Sequence, residues 1–156
     1  MATTYGTSTA LTITAGSLAS NAARSSAAVT SDTAVNLEGY EVTVNVLTTT
    51  SAPSGNKQVA VYFYRSEDGS NYQGNSGTTD NVDGTDKALT ALGSPSALTL
   101  AGALPLNQGA VAVTARGVFD LPWDSIPPKW GIVLHNDAGV TLGATVTATY
   151  RSVYKT

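Results

Sequence analysis

Cysteine is absent from this sequence of 156 residues, and histidine occurs once, as His135. Without thiols the fold has no disulfides, and zinc sites built on thiolates are excluded. A single histidine also excludes metal sites with two or three histidines, unless subunits share them at a symmetry axis. Stability must therefore come from a packed core, and a chain of this length can bury one without covalent cross-links.

Charged residues are also scarce, at 12% of the chain, which is about half of the usual share in globular domains. The net charge is −3, and the 8 lysines and arginines are scattered singly. We therefore expect no direct binding of nucleic acid. Threonine, serine, alanine and glycine replace the charges, and such short side chains lose little entropy when they are covered. This composition suits a surface that packs against neighbours, or simply a threonine-rich β-sandwich.

The first residues contain no charged segment followed by an apolar one, so no signal peptide is expected. No apolar run approaches the length of a membrane span, so no membrane partner is expected either. Small polar residues fill this stretch. We predict a flexible N-terminal arm over residues 1–7, followed by a single domain over residues 8–156.

Apolar and polar residues alternate with a period of two along much of the chain, and helical periodicity is almost absent. The clearest strand is residues 40–48. Residues 58–66 follow after a turn with Pro53 and Gly55, so we predict that these two strands form a hairpin. The other predicted strands are residues 8–14, 24–30, 87–92, 97–100, 111–120, 130–136 and 145–154. The alternation predicts a core of Val42, Val44, Val46, Val59, Val61, Phe63, Val111, Val113, Ile132, Leu134 and Val146.

Eight or nine short strands with turns between them predict an all-β fold, an antiparallel sandwich of two sheets. A jelly roll is our first choice of topology, and an immunoglobulin-like sandwich is the second. Residues 58–66 and 130–136 are apolar on both faces, which places them centrally in a sheet or at a subunit contact. Residues 67–86 form a long loop with five acids and no lysine or arginine, and loops of this length are often functional.

No catalytic constellation is evident, so we predict a protein that is not an enzyme and needs no cofactor. His135 has no partner serine on a Gly-x-Ser-x-Gly turn. No pair of acids stands out as the carboxylates of a glycosidase. Asp80, Asp83 and Asp86 surround Gly84 and are a candidate calcium loop, although their spacing departs from the EF-hand pattern. The alternative for these acids is a solvated loop.

The aromatic residues suggest a second kind of site. Trp123, Trp130, Tyr62 and Tyr64 are candidates for a platform on which a sugar ring stacks, as in carbohydrate-binding sandwiches. The alternative, which we favour, places Trp130 in the core and Trp123 in a loop or an interface.

Four segments, in this order along the chain, carry a resemblance to a known family. They are TITAGSLAS (residues 12–20), YRSEDGSNY (64–72), PPKWGIV (127–133) and ATYRSVY (148–154). Together they resemble small structural proteins of tailed bacteriophages, and within that family the head decoration, or cement, proteins of jelly-roll type. Proteins of this kind bind outside the icosahedral shell at symmetry axes and tie capsomers together.

The resemblance implies a virion structural protein on the capsid exterior, assembled in the host cytoplasm. Its partners would be the major capsid protein and further copies of itself, as a dimer or trimer. The arm of residues 1–6 would reach a neighbouring subunit. Similar sandwiches occur in tails and fibres, so a carbohydrate-binding tail or fibre module is the alternative.

The residues that we expect at capsid or subunit contacts are aromatic, apolar or proline side chains. They are Tyr5, Tyr62, Tyr64, Trp123, Ile126, Pro127 and Pro128. Adjacent prolines present a stiff apolar edge, which has little conformational freedom to lose when it is covered.

Overall fold

The computed structural model describes residues 2–47, 51–74, 81–89, 92, 97–106, 114–122 and 124–156. These ranges contain eleven strands and no helix, and therefore no helix that is long and apolar enough to cross a membrane. The strands are β1 (Thr3–Tyr5), β2 (Thr9–Leu11), β3 (Ala23–Ser25), β4 (Val29–Thr30), β5 (Leu37–Leu47), β6 (Gln58–Ser66), β7 (Lys87–Leu89), β8 (Thr99–Pro105), β9 (Thr114–Asp120), β10 (Lys129–Asp137) and β11 (Val146–Lys155).

The strands form two antiparallel sheets. In the first sheet, β1 and β2 follow one another along the same edge of β11, which continues to β5 and β9. In the second sheet, β7 pairs with β3, both β3 and β4 pair with β10, and the order continues to β6 and β8. The predicted all-β sandwich of two antiparallel sheets is confirmed.

The strand pairing is nested. When β1/β2 and β3/β4 are each counted as one interrupted strand, the first strand pairs with β11, the second with β10, β5 with β9, and β6 with β8. This is the strand order of an eight-stranded jelly roll, with β7 added at one edge. In an immunoglobulin sandwich the second and fifth strands are neighbours instead.

The core lies between the two sheets and is built by the alternating residues of their central strands. The predicted core residues within the described ranges are all buried: Val42, Val44, Val46, Val59, Val61, Phe63, Ile132, Leu134 and Val146. Val111 and Val113 lie outside the described residues. Trp130 is also fully buried, with its ring centroid 4.9 Å from that of Tyr40 and 5.6 Å from that of Tyr150. Trp130 is therefore a core residue, as favoured above.

The predicted hairpin between residues 40–48 and 58–66 is wrong. β5 lies between β11 and β9 in the first sheet, whereas β6 lies between β10 and β8 in the second. The chain thus crosses from one sheet to the other between these strands. Alternation shows which face of a strand is buried, but it is the same for two strands in a hairpin and for two strands that face each other across a core.

The strand predicted over residues 24–30 is interrupted between β3 and β4. At the interruption, the Ser26 hydroxyl accepts a hydrogen bond from the Ile132 amide at 3.0 Å, and the Ser26 amide donates to the Ile132 carbonyl at 2.8 Å. The serine side chain takes the place of a main-chain acceptor, so the pairing with β10 continues across an irregular stretch.

The outer face of the second sheet is apolar because the protein covers it with its own chain. Tyr64 and Val133 lie on this face and pack with Val82, Leu89 and Leu98 from the segment that follows β6. The double-sided apolar pattern of β6 and β10 therefore reflects central strands, the first of the two alternatives above.

The N-terminal segment, predicted as a flexible arm, instead forms β1. Its residues Thr3–Tyr5 pair with Val153, Tyr154 and Lys155 of β11. The edge of β11 offers a row of main-chain donors and acceptors, which the segment can satisfy although all its side chains remain exposed.

Candidate functional site

Two loops meet at one end of the sandwich and form a surface that we call the proline corner, residues 31–37 and 126–128. The first loop leads from β4 into β5, and the second leads from β9 into β10. Ser31 joins them, because its amide donates to the Pro128 carbonyl at 3.0 Å and its hydroxyl donates to the Pro127 carbonyl at 2.6 Å. The tandem prolines fix their own backbone and have carbonyls free to accept these bonds.

Asp32 anchors the first loop to the rest of the fold. Its carboxylate accepts hydrogen bonds from the Tyr154 hydroxyl at 2.8 Å and from the Ala34 amide at 3.2 Å, and its own amide donates to the Tyr40 hydroxyl. The bond from Tyr154 lowers the pKa of Asp32, and burial raises the pKa of Tyr40. At neutral pH the aspartate is therefore charged and the tyrosine neutral, and the loop is held in a defined conformation.

An open groove of about 370 Å³ runs between the two loops. Its lining consists mainly of small neutral or apolar side chains: Ser31, Asp32, Thr33, Ala34, Leu37, Ile126, Pro127 and Pro128. Beside it, Val35 projects with its whole side chain in solvent. Pro128 is also exposed, and Ile126 and Leu37 are half-buried. A surface of this kind offers shape and apolar area to a partner, and its one charge is already hydrogen-bonded.

The predicted contact residues fall into two groups. Ile126, Pro127 and Pro128 come together at the proline corner, although Pro127 is buried and the exposed edge is formed by Pro128. Trp123, in the same loop, lies outside the described residues. Val35 and Leu37 belong to this surface but were not predicted from the sequence. The signal for them was a large apolar residue, Val35, in a turn of mostly small or polar residues.

The three tyrosines lie elsewhere. Tyr5 is exposed on β1, and the Arg151 guanidinium lies 3.9 Å above its ring centroid. Tyr62 is half-buried on the outer face of the second sheet. Tyr64 is fully buried there, and its hydroxyl donates to the Ser26 carbonyl at 2.8 Å. Burial raises the pKa of Tyr64. The prediction that Tyr64 is a contact residue is wrong, because its own chain covers it.

The burial of Tyr64 and Trp130 also removes two residues from the candidate sugar platform. Trp130 and Tyr64 have no exposed surface and lie on opposite faces of the second sheet, in different apolar clusters. These residues therefore do not form a shared stacking surface. An aromatic side chain does line a different groove, of about 420 Å³, where Tyr72 lies among Arg65, Glu67, Asp68, Asn71 and Gln73.

Two of the three candidate calcium ligands bind cationic side chains. Asp86 is 2.6 Å from Arg24 Nε and accepts a hydrogen bond from the Thr14 hydroxyl, and Asp83 is 2.6 Å from Lys87 Nζ. Partial burial raises the pKa of both aspartates. The hydrogen bonds and positive charges lower it by a larger amount, so the net shift is downward. Asp80 lies outside the described residues. The part of the chain that the structure describes holds no cluster of three or more acidic, histidine or cysteine side chains that suits a metal ion.

Comparison with protein-family models, with curated proteins and with solved structures finds no match to this chain.

Proposed function

We propose that this protein is a non-enzymatic structural protein of a bacteriophage virion, a decoration or cement protein that binds the outside of the capsid and stabilises it. The observation that carries the proposal is the proline corner, a neutral and partly apolar edge held rigid at one end of a jelly roll. The ordered resemblance of four sequence segments to decoration proteins supports it. The low charge of the surface supports it too, because little charge has to be desolvated in a contact.

The major capsid protein is the proposed partner of the proline corner. The loops of the corner are already fixed by Ser31 and Asp32, so binding costs little conformational entropy. Val35, Ile126 and Pro128 supply the apolar area. Each contact can be small, because many copies act on one shell and copies that are linked to each other hold more tightly than one alone.

Stabilisation of the shell follows from linkage. A protein that binds assembled capsomers but not loose ones shifts the equilibrium towards the assembled shell by mass action. The protein would join the head from outside after assembly in the host cytoplasm, and self-association as a dimer or trimer would bridge neighbouring capsomers.

The test is to prepare heads that lack the protein, add the purified protein back, and compare rupture temperatures. Wild-type protein should bind and raise the rupture temperature. Val35→Asp should weaken binding by tenfold or more, because it places a charge in a contact that buries apolar surface; tenfold corresponds to about 1.4 kcal/mol. Val118→Asp is the matched control. Val118 is also an exposed valine, but it lies on β9, outside the residues of the proline corner and of its groove, so this variant should bind as the wild type does.

Both variants should be folded, which melting curves of the free proteins check. Equal loss of binding in the two variants would refute the proline corner as the contact. Failure of the wild-type protein to bind heads, together with labelling of the tail tip, would favour the alternative of a tail or fibre module that binds carbohydrate. In that case a sugar array and the variant Tyr72→Ala would test the groove of about 420 Å³.

A further inference from the structure

The first strand is held on the fold by its main chain. The amide of Ala2 donates to the Thr156 carbonyl at 2.8 Å, the Thr156 amide donates back to Ala2 at 2.9 Å, and the Gly6 amide donates to Ser152 at 2.9 Å. All residues of β1 are exposed, and the first buried side chain of the described chain is that of Leu11. Apart from the stacking of Tyr5 under Arg151, β1 contributes little besides backbone hydrogen bonds.

Another copy of the same strand would fit this edge equally well. In the structure described above, which we call the closed form, β1 pairs with β11 of its own chain. Thr3–Tyr5 is therefore complementary to Val153, Tyr154 and Lys155, with which it pairs in register. Removal of β1 from its own β11 opens no cavity in the core, since none of its side chains lies there. Residues 2–8, when extended, reach about 23 Å at roughly 3.3 Å per residue, which is enough to cross to an adjacent molecule.

We propose that β1 exchanges between copies, so that Thr3–Tyr5 of one molecule pairs with Val153, Tyr154 and Lys155 of a second molecule. The bonds that are broken and formed are identical, so the balance between closed and exchanged forms depends on the local concentration of copies. Dilute protein remains closed, and exchange grows when copies lie side by side. The proposal rests on the proposed function only for the high local concentration of copies on a capsid. In the self-association on the capsid, β1 would be the donor strand and the edge of β11 would be the acceptor.

The absence of cysteine makes the exchange easy to trap. Thr3 and Lys155 lie opposite each other. Because the adjacent pair Ala2 and Thr156 exchanges both main-chain bonds, Thr3 and Lys155 form a non-hydrogen-bonded pair, in which side chains approach closely enough for a disulfide. A mixture of the single variants T3C and K155C at high concentration should therefore give, on oxidation, a dimer linked between positions 3 and 155.

A second acceptor variant tests whether an unoccupied β11 edge increases the exchange. K155C that also lacks residues 2–5 has an unoccupied β11 edge, so it should capture T3C several-fold more than full-length K155C does. The matched control is a mixture of T43C and T149C. These positions face each other on β5 and β11 in the interior of the first sheet, where exchange would require the core to open. This mixture should give only the disulfide-linked dimer that random collisions produce. The amount of T3C homodimer in the first mixture measures that level.

The proposal is overturned if neither K155C acceptor, full-length or truncated, links to T3C above the level of the control mixture. Melting curves and circular dichroism verify that the truncated acceptor is folded, and the result with the full-length acceptor does not depend on the truncation. No capsid is present in this experiment, so its outcome is separate from that of the re-addition experiment on heads.

Discussion

Replacement of Gly131 by alanine should destabilise the protein strongly, although both residues are small. Gly131 lies on β10 opposite Tyr64 of β6, and the Tyr64 ring covers it. A Cβ atom built on Gly131 would lie 2.6 Å from Tyr64 Cε1, and closer still to the Cζ and hydroxyl oxygen atoms. Tyr64 has little room to move, because its hydroxyl is bonded to the Ser26 carbonyl and its ring packs on Tyr72 with centroids 5.8 Å apart.

The expected cost combines two effects. Overpacking of a filled core costs about 1–3 kcal/mol. Displacement of the Tyr64 ring also breaks its hydrogen bond to Ser26, which adds about 1 kcal/mol. The free energy of unfolding should therefore fall by about 3 kcal/mol, equivalent to roughly 6–12 °C in melting temperature for a domain of this size. Without a clash, alanine would instead stabilise the protein by about 0.4–1 kcal/mol through the unfolded state.

Urea denaturation followed by circular dichroism measures the effect. Gly39→Ala is the matched control, because Gly39 also lies in a strand, β5, and a Cβ there meets no atom within 4 Å. This control should be neutral or slightly stabilising. In a Tyr64→Ala background the clash is gone, so Gly131→Ala should then cost little. If Gly131→Ala is as stable as Gly39→Ala, the Tyr64 ring does not lie where the structure places it, and the covered outer face is refuted.

Three further substitutions test the core and the ion pairs. Val44→Ala should lower the free energy of unfolding by about 2–3 kcal/mol, because Val44 has no exposed surface and its truncation leaves a cavity; an unchanged denaturation midpoint would contradict this. Asp86→Asn should cost about 2 kcal/mol by removing the carboxylate charge that faces Arg24, whereas Glu67→Gln, in an exposed pair with Arg65, should change stability by about 0.5 kcal/mol or less. Because the pKa of Asp86 is lowered in the folded state, its contribution is present above the unfolded value of 3.8 and is lost as pH falls through the lower folded value. Melting curves of wild type and Asp86→Asn should therefore converge in acid, and a constant difference down to about pH 2 would contradict the assignment.

Burial along individual strands was predictable from the sequence. β6 begins and ends at the residues that alternation indicated, and Val42, Val44 and Val46 all lie in the core. Alternate burial leaves a direct trace in the order of apolar and polar residues, so a strand and its inner face can be predicted locally.

Strand pairing was not predictable in this way. β1 pairs with β11, the last of the described strands, and β5 pairs with β9 and β11 rather than with β6. No local pattern encodes such partners, since pairing depends on how all the inner faces close around one core. The same reason explains why β1 was mistaken for a free arm: its partner lies at the other end of the sequence.

The proline corner was only half predictable. Pro127 and Pro128 were expected to present a stiff apolar edge; they do lie where β10 begins, but Pro127 is buried and only Pro128 is exposed. Ala34 and Leu37, the neighbours of Val35, come beside them only through the folding of the first and second halves of the chain onto each other. Tyr64 was misassigned because its cover comes from a segment of polar composition, in which a few apolar residues such as Val82 make the contact.

The nested pairing also determines the order of events while the chain is being synthesised. Among the strands that the structure describes, β1 is synthesised first and its partner β11 is synthesised last. At roughly 5–20 residues per second, the intervening stretch takes about 8–30 s to make. During this time β11 is not yet available to pair with β1. A segment of mostly small residues, with no leucine, isoleucine or valine before Leu11, is a poor nucleus for β-aggregation. The same lack of large apolar side chains that leaves β1 weakly attached to the folded protein thus also lowers its tendency to aggregate during synthesis.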